Sequence, residues 1–349
     1  MISSDTQLAE LLPRLGSIKQ VAVDTEADSL HCYFEKLCLI QLTFDDCDYL
    51  VDPLAPLDLQ PLCAALAEKE IVLQGMDFDL RLLARACNFG ARDVFDTVIA
   101  ARLLGLREFS LAALVQQFFG VTLAKGSQKA NWARRPLPRV MEEYAKNDTH
   151  FLLPLAAKME AQLQARGRME WFRQSCQRAL EQVAVQRERD PDEAWRIAGS
   201  GTLPGRAAAV LRALWRWRDL EAQQVDRPSF HILQNSLLLS AAESFAVGET
   251  SEFRHFSERR RRGFLAAARE ALDLPESEWP QRRPRSNKPR LRDFDKRVEE
   301  LKRRRDIRAK ELDLDASFVA PRSALEAIAA DQASSQSVLV EWQCKLLDL

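Results

Sequence analysis

The chain has 349 residues, enough for two or three domains at roughly 150 each, and at 46% apolar and 29% charged it can fill several small cores. No apolar run approaches the ~18 residues of a bilayer span. Asp5 and Glu10 stand where a leader would carry bases, and the seven cysteines form no CxxC pair. This points to a reduced, cytoplasmic protein without membrane association, disulfide framework or zinc knuckle. The net charge of −1 hides an asymmetry. Residues 1–60 hold eleven acids against three bases, and residues 281–310 hold fourteen bases against five acids. An acidic front suits metal binding and a basic rear suits a polyanion; plain solvated surface is the alternative for both.

The first ~170 residues alternate strand-like and helix-like pieces, as in an α/β domain. Residues 6–15 read as an amphipathic helix, 20–24 as a short strand ending on Asp24, and 37–44 and 49–52 as two more strands. A helix over 59–68, a strand over 71–74 stopped by Gly75, and a helix over 78–87 follow. The pattern then predicts helices over 95–104 and 110–118, a basic loop over 124–139 containing Trp132, and a helix over 140–164 kinked at Pro154. Beyond residue 165 only helical periodicity remains, starting with 168–187. Connectors are read at 190–192 and 199–205, and a proline-rich basic linker at 280–289. This divides the chain into an α/β domain over 1–170, a helical connector over 171–204, and helical domains over 205–284 and 285–349. The last two look like a divergent duplication. Arg218-Asp219 and Arg305-Asp306 each precede an Asp…Phe turn and a Leu-bearing helix.

Four acids stand out by position. Asp24 and Glu26 are two apart at a strand end, so their carboxylates project to one face. Asp79 opens a helix after Gly75, and Asp148 lies on a helix one turn beyond Tyr144. Gathering such acids without cations is costly, because like charges at close range repel. Divalent metals remove that cost, and oxygen donors suit Mg²⁺ or Mn²⁺. Each acid taken singly also fits a turn or a helix cap.

Five motifs occur in order: Val23-Asp24-Thr25-Glu26, Cys38-Leu39-Ile40-Gln41-Leu42, Gly75-Met76-Asp77-Phe78-Asp79-Leu80-Arg81, Phe95-Asp96-Thr97 and Tyr144-Ala145-Lys146-Asn147-Asp148. Together they resemble the DEDD superfamily of 3′–5′ exonucleases, in the subclass with tyrosine in the third motif, and within it the bacterial ribonuclease D family. Trp217-Arg218-Asp219, Ala222, Arg227-Pro228, Phe230 and Ile232-Leu233 resemble the helical HRDC module that follows the nuclease there. The resemblance implies an RNase H-like mixed sheet followed by two small HRDC-type domains, the second degenerate. It also implies two divalent metal ions, Mg²⁺ or Mn²⁺, with no nucleotide cofactor.

The resemblance makes Asp24 the acid that bridges both metals. Glu26 and Asp148 become ligands on the side that activates water, Asp79 an acid of the other metal through water, and Tyr144 the residue that orients the attacking water. His31 and Gln41 are expected near the terminal nucleotide, a structural histidine being equally open. Lys125, Lys129, Arg134 and Arg135 are candidates for holding phosphates, with Trp132 for packing or base stacking. Asp77 and Asp96 are expected to cap helices. Basic clusters at 254–262, 282–292 and 302–305 suit phosphate contacts without sequence readout, or are solvated helix faces. The expected function is a monomeric, cytoplasmic 3′–5′ exoribonuclease trimming tRNA precursors and other structured RNA, and releasing 5′-mononucleotides. An exonuclease acting mainly on DNA, and a non-catalytic RNA-binding scaffold, are the alternatives.

Overall fold

The computed structural model describes residues 1–124, 126–185, 190–281 and 293–349. In chain order the elements are α1 (Asp5–Ser17), β1 (Gln20–Ala27), β2 (Leu37–Phe44), β3 (Cys47–Val51), α2 (Gln60–Leu66), β4 (Glu70–Leu73), α3 (Asp77–Cys87), β5 (Asp93–Asp96), α4 (Thr97–Leu103), α5 (Leu111–Phe119), α6 (Arg139–His150), α7 (Leu152–Ala165) and α8 (Met169–Ala184). There follow α9 (Gly205–Gln224), α10 (Ser229–Ile232), α11 (Asn235–Ala246), α12 (Glu258–Leu272), α13 (Phe294–Glu311), α14 (Ala316–Val319), α15 (Arg322–Ala330), α16 (Ser335–Val338) and α17 (Glu341–Leu346). They form two units. One comprises residues 1–27, 37–185 and 293–349; the other comprises 28–36 and 190–281.

The first unit is built on a five-stranded mixed sheet of order β3-β2-β1-β4-β5. β1, β2 and β3 are antiparallel neighbours, whereas β4 and β5 run parallel to β1. β2 and β3 meet in a two-residue turn in which Asp45 and Asp46 both have positive φ, the twist-matched hairpin turn. Every residue of β2 is buried, so helices cover both faces of the sheet there.

Two local readings are corrected. Phe95 and Asp96, expected at the start of a helix, instead end strand β5; the helix begins only at Thr97, capped by Asp96. The helix expected over 140–164 breaks at Phe151 into α6 and α7. Pro154 therefore sits in the first turn of α7, where its missing N–H costs nothing.

The expected domain boundaries also shift. α8, read as part of a connector, packs into the nuclease core through Phe172, whose ring centroid lies 4.5 Å from that of Phe95. Residues 293–349, read as part of a separate domain, share that same core. The Trp342 ring stacks on Trp171 of α8 at 5.0 Å, and its N–H donates to Ser175 Oγ at 3.1 Å. Arg107 pairs with Asp313 at 2.6 Å, and Arg168 donates to Leu312 O at 2.8 Å. At Gly105 any Cβ would meet the Asp313 carbonyl oxygen at 2.3 Å, so only glycine allows this approach. The apolar faces of short helices too small to bury themselves find their partner in α8.

The second unit is centred on α9. Arg218 is buried and donates to Leu233 O and Asn235 Oδ1, both at 2.8 Å. Buried Glu221 pairs with Arg259 and Arg260. Trp217 packs against Phe256 and Phe264, while Gly263 gives its indole room. The β1–β2 connection belongs to this unit. Asp226 Oδ1 accepts from the N–H groups of Tyr33 and Phe34, and the Tyr33 hydroxyl donates to Asp219.

The duplication suggested by the motifs has a geometric counterpart. Arg218 reaches the carbonyl 15 residues onward, at the end of short helix α10. Arg305 likewise reaches Ala320 O, 15 residues onward at the end of α14.

Trp342→Ala is expected to cost about 3–5 kcal/mol, the scale for emptying a large buried aromatic site. The urea midpoint of the unit containing the sheet should fall accordingly.

Candidate active site

Asp24 and Glu26 lie on the last half of β1, and pleating turns both to one face. The β1–β2 register slips between Glu26 and Ala27, a bulge that re-aims the strand end beside the acids. Asp148 arrives from the C-terminal half of α6. Its position is set by the next residue, Thr149, whose hydroxyl lies 2.7 Å from that of Thr43 on β2. Carboxylate oxygens of Asp24, Glu26 and Asp148 lie within 4.8 Å of one another, and all three residues are partly open to solvent.

Asp79 approaches from the first turn of α3 and is buried. It is held by Thr25, which donates its backbone N–H at 3.0 Å and its hydroxyl at 2.6 Å. Alternation along β1 turns Thr25 away from its acidic neighbours and toward α3. The turn ahead of α3 needs Gly75 at φ +85. It is pinned by Asp96, which accepts from Met76 N at 2.8 Å while capping α4 through Val98 N and Ile99 N. Asp96 thus has the expected capping role and a second one. Asp77 is not a cap: it pairs with Arg81 on the exposed side of α3.

The electrostatics follow from this crowding. Burial, then the charges of Asp79, Asp148 and Glu26, hold the Asp24 carboxyl well above its ordinary range. Burial, Asp148 and Asp79 push Glu26 up to about 9. Burial and Asp79 push Asp148 up to about 7. Asp79 reaches about 6 through burial, held back by the Thr25 hydrogen bonds. Tyr144 is raised above its usual value by burial, Asp148 and Glu26, so its hydroxyl keeps its proton at neutral pH. Tyr144 hydrogen-bonds Gln128, and its ring lies 6.1 Å from that of Trp132. Four acids whose ionised forms are this disfavoured, presenting only oxygen donors, fit divalent cations such as Mg²⁺.

The residues expected to touch substrate are placed differently. Gln41 is fully buried opposite Asp24 on β2, its amide N–H donating to Asp24 Oδ2 at 3.2 Å. It is not exposed to a nucleotide. Trp132 is 1% exposed and fills a small core with Leu39, Leu50 and Met141, so it packs rather than offering a stacking face. Arg135 makes two bonds to Asp52, at 2.7 and 2.6 Å, and donates to the carbonyls of Cys38 and Trp132. Its guanidinium anchors the loop instead of facing a phosphate. His31 lies on the β1–β2 connection, in the segment described with the helical unit. Lys125 lies outside the described residues, as do the basic residues 282–292. Lys302, Arg303 and Arg304 pair with acids on their own helix, the solvated-face alternative, whereas Arg305 is largely buried. Sequence reasoning missed Thr25, Thr43, Thr149 and Gln128. Only Thr25, caught between two acids, carried a local signal.

A sheet of this topology with this acid quartet defines a 3′–5′ exonuclease, a hydrolase. Residues 1–164 match the family described as 3′-5′ exonuclease, and residues 207–247 match the HRDC domain. The chain is 30% identical to a ribonuclease D of Sphingobium indicum over 98% of its own length and 91% of that protein. Among solved structures, a protein from Bifidobacterium adolescentis matches at TM-score 0.82 and 26% identity, over 99% of this chain and 94% of that one. Escherichia coli RNase D, described as an exoribonuclease involved in structured RNA processing, matches at 0.73 and 25%, over 100% and 98%. The chain belongs to the ribonuclease D family of 3′–5′ exoribonucleases, whose activity depends on divalent metal.

A raised carboxyl value means ionisation is harder in the folded chain than in the unfolded one. The contribution of these carboxyls to stability is therefore full at low pH and drains away as pH climbs from ordinary carboxylate values near ~4 toward about 9. Metal-free protein should melt at progressively lower temperature between pH 5 and pH 9. Mn²⁺ should raise the melting temperature more at pH 8 than at pH 5. Scanning calorimetry in chelator and in metal checks this, and equal shifts at both pH values would contradict it.

Proposed function

We propose that the chain trims the 3′ ends of structured RNA in the cytoplasm, as a monomer, with 3′-extended tRNA precursors foremost, and releases 5′-mononucleotides. The observation that carries this reading is the convergence of Asp24, Glu26 and Asp148, with Asp79 alongside on Thr25. RNA is favoured because relatives matching most of the chain bear the name ribonuclease D. Asp24, close to the other acids, would help to hold the divalent cations. Glu26 and Asp148 would complete the ligand set beside it, and Asp79, held by Thr25, would support it from behind. When bound, Mg²⁺ or Mn²⁺ supplies a water activated at neutral pH and stabilises the leaving 3′ oxygen. Tyr144, protonated and half-buried beside Asp148, both donates and accepts hydrogen bonds, and so orients the attacking water. The helical unit adds phosphate contacts that hold the body of the RNA.

Asp24→Asn should lower the trimming rate by more than about 100-fold, the upper end for mutating an outer-shell partner of a metal. Metal-free stability at pH 8 should hold or rise, since a disfavoured charge is removed. Tyr144→Phe should cost about 10²-fold in kcat, the scale of one positioned proton-transfer group. Matched RNA and DNA oligonucleotides compared in single turnover test the substrate class; faster cleavage of DNA would overturn the RNA reading.

A further inference from the structure

Gln41 is an anomaly in an otherwise satisfied strand. β2 is apolar and buried along its whole length, and Ile40 and Leu42 flank Gln41 with no exposure. Two residues along the same face, the Thr43 hydroxyl is engaged by Asp48 and Thr149, both at 2.7 Å. The Gln41 amide is only half engaged. Its N–H donates to Asp24 Oδ2, and its Oε1 is buried with no hydrogen-bond partner. Unpaired buried acceptors are costly and uncommon in native proteins. A leucine or methionine would fill this position without leaving one.

Turning the amide over does not relieve the problem. It would set Oε1 against the Asp24 carboxylate, two acceptors face to face. With Asp24 ionised, as a bound cation makes it, the amide N–H therefore faces the carboxylate and Oε1 is left unpaired. No donor among the described residues reaches it. Carboxylates that hold a metal are commonly oriented by a hydrogen bond from a neighbouring group of this kind.

We propose that Gln41 is a positioning residue for the metal site. Its N–H aims the Asp24 carboxylate at the cation, and the unpaired Oε1 is the cost of keeping that donor at a buried position. The inference rests on the reading of the four acids as a metal site. It differs from the nucleotide contact expected from the sequence, because it operates without RNA.

The test uses the full chain, titrated with Mn²⁺ by isothermal calorimetry at pH 8 with no RNA present, alongside thermal melting in chelator. Gln41→Met keeps the side chain's length and removes both hydrogen-bonding groups. It should weaken Mn²⁺ binding by about 10- to 100-fold, while the metal-free melting temperature stays level or rises because the unpaired acceptor is gone. If this variant does not fold, Gln41→Leu gives the same two readouts. A purely structural glutamine would give the opposite pattern, a lower metal-free melting temperature with unchanged Mn²⁺ affinity, and that result overturns the proposal. Unchanged affinity with trimming lost would overturn it too, assigning Gln41 to the RNA instead. Failure of the unmutated chain to bind Mn²⁺ would reject the metal-site reading itself, and this proposal with it.

Discussion

Mutual repulsion among buried carboxylates is the constraint around which the nuclease unit is arranged. Bringing Asp24, Glu26 and Asp148 within reach of one another, with Asp79 behind them, opposes folding in the absence of cations. The local structure reads as a set of devices that hold the acids together despite this. A bulge re-aims the end of β1, Thr25 grips Asp79 twice, and Asp96 pins the turn from which α3 starts. The Thr43–Thr149 contact fixes the helix that delivers Asp148. None of these groups is acidic except Asp96, and Asp96 is occupied by three backbone N–H groups. The charge that remains uncompensated is concentrated where a divalent ion would sit.

The two helical pieces show one design put to two uses. In each, an arginine on a long helix reaches the carbonyl that closes a short helix 15 residues onward. In α9 that arginine belongs to a unit with its own aromatic core around Trp217, Phe256 and Phe264. Among the described residues the later copy has no core separate from that of the sheet. Its Trp342 stacks on Trp171 of α8, and Leu325, Ile328 and Leu347 join the apolar cluster under the sheet. A module that elsewhere stands by itself has here become part of the wall of its neighbour.

Of the five residues singled out for the site, two pairs are adjacent by local geometry, and the ordered motifs set them together. Period two puts Asp24 beside Glu26, and a helical turn puts Tyr144 beside Asp148. The motif order supplied Asp79. What escaped detection depended on distant partners or on short elements. Arg135 looks like a phosphate ligand until Asp52, 83 residues away, takes its guanidinium. Trp132 looks available until β2 and α6 close over it. β5 has four residues and runs straight into α4, so its apolar pair Val94 and Phe95 fits either period. The break at Phe151 has no glycine to announce it, and Pro154 pointed three residues too late. The amphipathic faces after residue 293 were visible, but an apolar face does not name what it will cover.

The sheet-bearing unit is discontinuous: residues 28–36 and roughly a hundred residues after 185 belong elsewhere before the chain returns to complete it. A ribosome therefore emits the four acids long before it emits Trp342 and Leu347, which finish the core beneath them. Contacts this distant in sequence form late and slowly. A nascent chain stopped before residue 342 carries the whole quartet of acids without the packing that steadies it, so destructive chemistry comes under full structural support only once that later segment has been made.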